Sequence, residues 1–467
     1  MRLRTAIAAV LALAVVVPIG VLWQRSLLPD HYDMAKMGYA DYGGGTKAHH
    51  HSGTPVAELI TDPTRTPDVE EILRVRKTGG RITINGTSPG PTLTAHVGDL
   101  VQVRLVNENL ADGTALHWHG IDVPNAMDGV AGVTQDAVAP GQEFDYRFVA
   151  NRPGTYWYHS HQVSHEQVRE GLLGPIVILP TGAEPSPLDV TAVIHQYDGV
   201  NMLNGHEGNQ TIAAAPGDTV RVRAINTDNT NTAVWTTGAP YVVAAVDGTD
   251  LNGPTPVGEK RVVLPAGGRV DLLVTVPADG ARVEFPRAAL VLGSDPGSGQ
   301  QPAETLDLLS YGDSTDPGLD ASHPDREFKY SIGRRPGFLD GKPGIWWTIN
   351  GHQFPNVPMF MVAEGDVVVF DISNHSGELH PMHLHGHHAL VLSRNGEPIS
   401  GSPLWVDSLS VKNGESYQIA FVADNPGIWV DHCHNLPHAQ EGLIAHLMYE
   451  NVTSSYKIGG TAGNQPE

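Results

Sequence analysis

Three segments of the chain alternate apolar and polar residues in the same way. They are GDLVQVRLVN at 98–107, GDTVRVRAIN at 217–226 and GDVVVFDISN at 365–374. Each opens on Gly-Asp, alternates with period two and closes on Asn, which is the pattern of a strand buried on one face. The copies lie 119 and 148 residues apart. That spacing is a domain length and not a solenoid repeat. A second pattern agrees: GQEFDYRFVANRPGTYWYHSH at 141–161 aligns without a gap with GESYQIAFVADNPGIWVDHCH at 414–434. The middle copy, AGGRVDLLVTVPADGARVEF at 266–285, is degenerate and lacks the closing His-x-His. No long amphipathic helix follows residue 30. The expectation is an all-β chain of three related β-sandwich domains, in which the first and third carry chemistry and the second is a spacer or substrate wall.

Linkers fall near Thr181–Leu188 and in the Gly/Asp/Ser/Pro-rich stretch Asp313–Asp325. The division expected is 61–182, 183–325 and 326–452, followed by a tail at 453–467. At the other end, Arg2 and Arg4 precede an apolar run from Thr5 to Trp23, and Gln24 and Arg25 follow it. Residues 1–25 therefore read as a signal anchor or a signal peptide. Ala12-Leu13-Ala14 sits inside the run, too early for ordinary cleavage, which favours the uncleaved anchor. In either case the body is exported, to the cell surface or the periplasm, membrane-anchored or secreted. Residues 26–60, with Gly43-Gly44-Gly45 and His49-His50-His51, read as a flexible polar tether that could also collect metal.

Composition then narrows the chemistry. Of 467 residues, 29 are Lys or Arg and 51 Asp or Glu, for a net charge of −22. Such a surface repels phosphate backbones and argues against nucleic acid as a partner. Gly 52 and Pro 35 suit short strands and many turns. There is one cysteine, Cys433, against 24 histidines, so intrachain disulfides and Cys-rich metal sites are excluded.

The histidines are patterned. Their frequency predicts about one His-x-His by chance, yet the chain has six. One is the 49–51 tract and one, His385/His387, overlaps its neighbour. The other four are His117/His119, His159/His161, His383/His385 and His432/His434. On a strand, residues i and i+2 share a face, so each pair presents two imidazoles together, and four pairs can converge as eight ligands. Imidazole suits copper, zinc, iron and nickel alike. Cys433 narrows the choice. It sits between His432 and His434 and so faces away from their cluster, with His438 five residues on and His380 upstream. Two histidines and one thiolate are the signature of blue copper.

At this point the chain resembles the multicopper oxidases. The segments HWHG (117–120), HSH (159–161), HPMHLHG (380–386) and HCHNLPH (432–438) are similar to that family's four copper signatures, in order, and the resemblance spans about residues 68–452. It implies three cupredoxin-like Greek-key β-sandwiches and four copper ions. By similarity His380, Cys433 and His438 hold the type 1 copper, with Leu443 at the axial position where many relatives have Met. His117 and His383 hold the type 2 copper. His119, His159, His161, His385, His432 and His434 hold the type 3 pair. The implied activity is one-electron oxidation of a small reductant at the type 1 copper. Electrons then pass through Cys433 to His432 and His434, and dioxygen is reduced to water at the three-copper cluster.

Asp128, nine residues after His119, matches the position where relatives place a proton-supplying acid. A second acid found in many bacterial relatives, six residues past the cysteine, is Ala439 here, which leaves Glu441 as a candidate. His165, His375, His387, His388 and His446 lie near the motifs without fitting the ligand pattern. Trp118, Trp157 and Trp429 are expected to pack around the sites, and Gln162 and Gln167 to hydrogen-bond within their loop. Nine methionines, grouped no closer than Met34/Met37 and Met359/Met361, favour a laccase-like oxidase of phenols or aromatic amines. The alternatives are a metallo-oxidase of Cu(I), Fe(II) or Mn(II) and a copper-binding structural protein of the cell envelope. A monomer is expected.

Overall fold

The computed structural model describes residues 2–47 and 53–467. The 49–51 histidine tract lies outside the described residues. After the helix Arg2–Ser26, the described chain is built from strands, with only short helical turns such as Ser164–Gln167 and Leu436–Gln440. Two four-stranded sheets occupy residues 69–179. A six- and a five-stranded sheet occupy 189–292, and a seven- and a six-stranded sheet occupy most of 326–449.

Each repeat supplies the same central strand: Leu100–Asn107, Thr219–Asn226 and Val367–Asn374. Each pairs parallel with the strand that precedes it in its unit, Val69–Thr78, Asp189–Tyr197 or Arg326–Leu339. Each pairs antiparallel with a later one, Glu143–Val149, Arg269–Thr275 or Ser416–Val422. The fixed letters of the repeat have physical roles. The glycines take φ of +97°, +94° and +92°, a turn conformation that glycine alone adopts without strain. The aspartates close that turn by accepting the backbone N–H of His96, Ala215 and Ala363. The terminal asparagines are fully buried, and their amides satisfy loop carbonyls: Leu110 and Val138; Thr230, Leu264 and Pro265; Glu378 and Val411.

The second sheet of the first and third units carries the histidines. Leu116–His119 pairs antiparallel with Gly154–Ser160, setting His117 opposite His159. His380–Leu384 pairs antiparallel with Ile428–Cys433, setting His383 opposite His432 and Met382 opposite Cys433. Trp118, Trp157 and Trp429 are fully buried around these strands, each stabilising the fold by roughly 2–3 kcal/mol.

Two expectations are corrected. Residues 26–60 are not a free tether. His31–Tyr32 pairs with Ile458–Gly459, Tyr39–Asp41 extends the histidine-bearing sheet beside Pro358–Val362, and Thr54–Pro55 pairs with Val452–Thr453. Met34 and Val56 are buried in the core. The 453–467 stretch is likewise anchored: Asn464 is buried and accepts the Ala137 N–H. Two- and three-residue strands have no periodicity to read: Tyr39–Asp41 forms on the open edge of a larger sheet, and the other two form only by pairing with equally short segments far along the chain.

Asn226 lies in the unit without His-x-His. Its replacement by Ala should orphan three carbonyls and cost about 2 kcal/mol. A lowered Tm with unchanged copper content is the expected result.

Candidate metal centre

The sequence-selected histidines gather in two places. At the first, His380 Nδ1 and His438 Nδ1 lie 3.6 and 3.9 Å from Cys433 Sγ and 3.2 Å from each other. Cys433 is fully buried, and burial pushes its thiol pKa up. The turn Leu436–Gln440 brings His438 back beneath the sulfur. It is closed by the Leu443 N–H donating to the His438 carbonyl and the Cys433 N–H donating to the Leu443 carbonyl. Leu443 is fully buried among apolar side chains. Ser376 Oγ sits 2.8 Å from His380 Nε2, while His438 Nε2 faces Asn435 at 3.3 Å and the Glu378 carboxylate at 3.6 Å. Trp347 packs its ring on both imidazoles.

The second place holds the four His-x-His pairs. Candidate ligand atoms fall into groups whose members lie within 4.8 Å of one another: His117, His119 and His383; His119, His159 and His434; His161, His385 and His432. His117 Nε2 and His383 Nε2 are 3.3 Å apart, as are His385 Nε2 and His432 Nε2. Rings from the two ends of the chain stack, His119 on His383 and His117 on His385, each at 3.7 Å.

Neighbouring groups set which nitrogen faces the centre. Carbonyls of Asp407 and Ser160 take the Nδ1–H of His383 and His159. The Asp128 carboxylate takes the Nδ1–H of both His117 and His385, at 3.0 Å. This frees Nε2 as the donor. His119 is turned the other way: its Nε2 meets Asp407 and Ser408, leaving Nδ1. His119 Nδ1, His159 Nε2, His161 Nε2 and His434 Nε2 are buried with no hydrogen-bond partner among the described residues. Orphaned buried nitrogens on convergent rings fit metal ions, which would satisfy them. The thiol with two imidazoles fits copper.

Several residues sequence reasoning missed complete the centre. Asp407 is gripped by Arg269 through two hydrogen bonds of 2.6 Å. Arg269 also donates to the Thr155 carbonyl. A side chain on Gly267 would come within 2.7 Å of His119, and its carbonyl accepts the Trp157 indole N–H. The middle unit is therefore not a mere spacer, and the overlooked signal was the Gly-Gly-Arg at the head of its degenerate copy. Glu467 Oε1 lies 3.3 Å from His432 Nδ1 and 3.6 Å from His161 Nε2; burial raises its pKa to about 8. Glu441, by contrast, is not brought to the histidine cluster. It accepts the Trp347 indole N–H at 2.9 Å, beside Cys433's group.

The remaining sequence-marked residues have polar or packing roles. His388 sits between Asp122 and Asp407, and His387 meets the Tyr449 hydroxyl. Gln162 donates to the carbonyls of Asp112 and Gly463. Gln167 accepts from Ser160 and Thr114.

Comparison with known proteins gives a consistent picture. Family models described as multicopper oxidase match residues 70–182 and 326–452. The chain is 28% identical over 480 residues to "Multicopper oxidase MmcO" of Mycobacterium tuberculosis, covering 86% of this chain and 88% of the relative. It is 28% identical over 461 residues to "Laccase-1" of Botryotinia fuckeliana, covering 82% and 80%. The crystal structure of a multi-copper oxidase from Pseudomonas thermotolerans superimposes with a TM-score of 0.67 at 27% identity, covering 82% of this chain and all of that one (100%).

Two outcomes are expected. Gly129, at φ +77°, packs so tightly that a Cβ would lie 1.8 Å from the Leu116 carbonyl oxygen. Gly129→Ala should cost on the order of 3 kcal/mol and, by moving Asp128 and His117 apart, lower copper content on metal analysis. Secondly, burial holds His161, His380 and His434 at a pKa of about 3, below the ordinary 6.5. The unfolded chain then binds protons first as pH falls below about 6.5, so stability present above that value is lost toward pH 3. The Tm of the copper-free protein should drop steadily from pH 6.5 to 4; a flat profile would contradict the neutral-imidazole core.

Proposed function

We propose that this chain, which belongs to the multicopper oxidase family, is a membrane-anchored, laccase-like oxidase. It is a copper-dependent oxidoreductase with dioxygen as acceptor. In our reading His380, Cys433 and His438 hold the type 1 copper and His117 and His383 the type 2. The two threes, His119/His159/His434 and His161/His385/His432, hold the type 3 pair. The single observation that carries this reading is the convergence of eight buried imidazoles from both ends of the chain, adjoining one thiol with two further histidines. Copper supplies the one-electron redox chemistry and the four-electron capacity that dioxygen reduction to water requires.

The chain's own residues do the rest. Cys433 is joined by its peptide bonds to His432 and His434, so the covalent path from the sulfur to the cluster runs through adjacent residues. Leu443 is buried beside Cys433. It has no donor atom and would leave a copper held there without a further protein ligand from this side chain, which would favour Cu(I) and raise the potential. Asp128 holds the Nδ1 protons of His117 and His385 and is the acid nearest those rings. Glu467 stands at His432 and His161 and fills the role that Ala439 cannot.

Electrons enter at the Nε2 edge of His438, whose side chain is 14% exposed. Trp347 is buried and packs against both imidazoles from within, and the Glu378 carboxylate offers an acceptor for a phenolic O–H or an aromatic-amine N–H. The same carboxylate favours a metal cation, which keeps metal-ion oxidation as the second reading. Met34 and Met361 are buried in the core, and Met359 lies with Met361 on Pro358–Val362. The apolar helix Arg2–Ser26 anchors the enzyme with its body outside the cytoplasm. All eleven ligands come from one chain, which supports a monomer.

Cys433→Ser should abolish the blue colour and turnover while the chain still folds. Oxidase activity retained in that variant would sink the proposed electron path. His161→Ala should stop oxygen consumption and keep the blue signal, because His161 lies in the other group. Asp128→Asn should lower kcat about 10- to 100-fold. Oxygen uptake by the copper-loaded enzyme, with a phenol against Cu(I), decides between the two substrate classes.

A further inference from the structure

The helix and the electron-entry site are joined by one hairpin. The strands Arg326–Leu339 and Lys342–Ile349 pair antiparallel, and their tip, Asp340-Gly341, closes the C-terminus of the helix. The Asp340 N–H donates to the Ser26 carbonyl at 3.0 Å, the Gly341 N–H to Ser26 Oγ at 3.1 Å, and the Leu28 N–H to the Asp340 carboxylate at 3.1 Å. The apolar part of the helix, Arg4–Ser26, has 23 residues, and its most apolar stretch has no buried residue. At 1.5 Å per residue it is about 35 Å long, enough for a hydrocarbon core of about 30 Å. Its Ser26 end then emerges among the outer headgroups, where the exposed Trp23 matches the interfacial preference of tryptophan. The hairpin tip is held at that level.

One face of the hairpin is suited to lipid. The register sets Phe338 opposite Pro343, Pro336 opposite Ile345, and Arg334 opposite Trp347, all at alternate positions on one face. Ile345 is 65% exposed, the highest value for a large apolar side chain in the described chain beyond the helix. Lys342 is exposed beside Asp340 at the tip and Arg335 on the hairpin's other face, cations that suit anionic headgroups in a chain of net charge −22. The face that bears Ile345 ends on Trp347, the ring packed on His380 and His438. Trp347 is six residues beyond Gly341, about 20 Å of strand. Behind the hairpin a cavity of about 620 Å³, walled by Leu28, Tyr32, Trp346 and Phe354, reaches Glu441.

We propose that this hairpin rests on the bilayer that holds the helix, and that His438 draws its reductant from that membrane as a lipid-dissolved hydroquinone. The proposal rests on the anchor reading given above. Two hydroquinones each give up two electrons and two protons. One dioxygen takes all four of each, leaving two quinones and two waters.

The test uses the full-length, copper-loaded enzyme in vesicles of phosphatidylcholine and phosphatidylglycerol. Because Cys433 is fully buried, Ile345→Cys provides a single exposed thiol for a fluorophore. A lipid-dissolved quencher should quench that label and leave one at Val200→Cys, an exposed position on the middle unit, unaffected. Ile345→Glu should lower kcat/KM for a long-chain hydroquinone in the vesicles about tenfold. It should leave the blue absorbance and the rate with a short, water-soluble hydroquinone unchanged. A label at 345 no more quenched than one at 200, or equal long-chain rates in the variant, would overturn the proposal. Carbonate washing of native membranes separates the two readings. Release of the body overturns the anchor and the hairpin proposal together; retention with an unquenched label overturns the hairpin proposal alone.

Discussion

The histidine cluster depends on one buried guanidinium. Arg269 belongs to the middle unit, donates to the Thr155 carbonyl of the first, and grips Asp407 of the third. Asp407 in turn meets His119 Nε2, and its carbonyl takes the His383 Nδ1–H. Removing both charges from water is costly, and only close bidentate pairing offsets that cost. The Asp247 carboxylate steadies the pair by accepting the N–H groups of Arg269, Asp407 and Ser408. Together with Asp128, which joins His117 to His385, and Asn125, which exchanges hydrogen bonds with the Ile428 backbone, this pair fixes the two sheets that bear the histidines relative to each other.

Around that fixed point the protein keeps many imidazoles dry, close and neutral. His119, His383 and His385 resist protonation because desolvation and the neighbouring rings oppose a charge. That state is unfavourable for the polypeptide by itself, since donor nitrogens are left without partners. It is favourable once metal occupies the centre, so stability and cofactor retention are two aspects of the same burial. Asp128 and the backbone carbonyls fix ring orientation through the nitrogen that does not face the centre.

The two centres differ in access. The histidines of the cluster are at most 1% exposed, while His438 of the thiol's group is 14% exposed beside Asn435 and Glu378. Sharing one strand, Ile428–Cys433 with His434 just after it, accounts for both. Alternate side chains go to opposite faces, so the imidazoles of 432 and 434 enter the interface and the sulfur enters the body of the third unit.

Much of this was written in local pattern. Period-two alternation, repeated Gly-Asp and Asn, and His at i and i+2 depend on backbone geometry alone, and they determined the all-β architecture, the paired imidazoles and the opposed cysteine. What they could not contain was which distant residues meet. Asp407 and Glu467 carry no motif, the Gly-Gly-Arg that holds Gly267 and Arg269 does not say what it meets, and the short strands at 31–32, 39–41 and 54–55 have no period. Glu441 looked available by spacing but hydrogen-bonds to Trp347 instead. Those outcomes were decided by tertiary structure, because burial, ion pairing and open sheet edges exist only once separate parts of the chain have packed together.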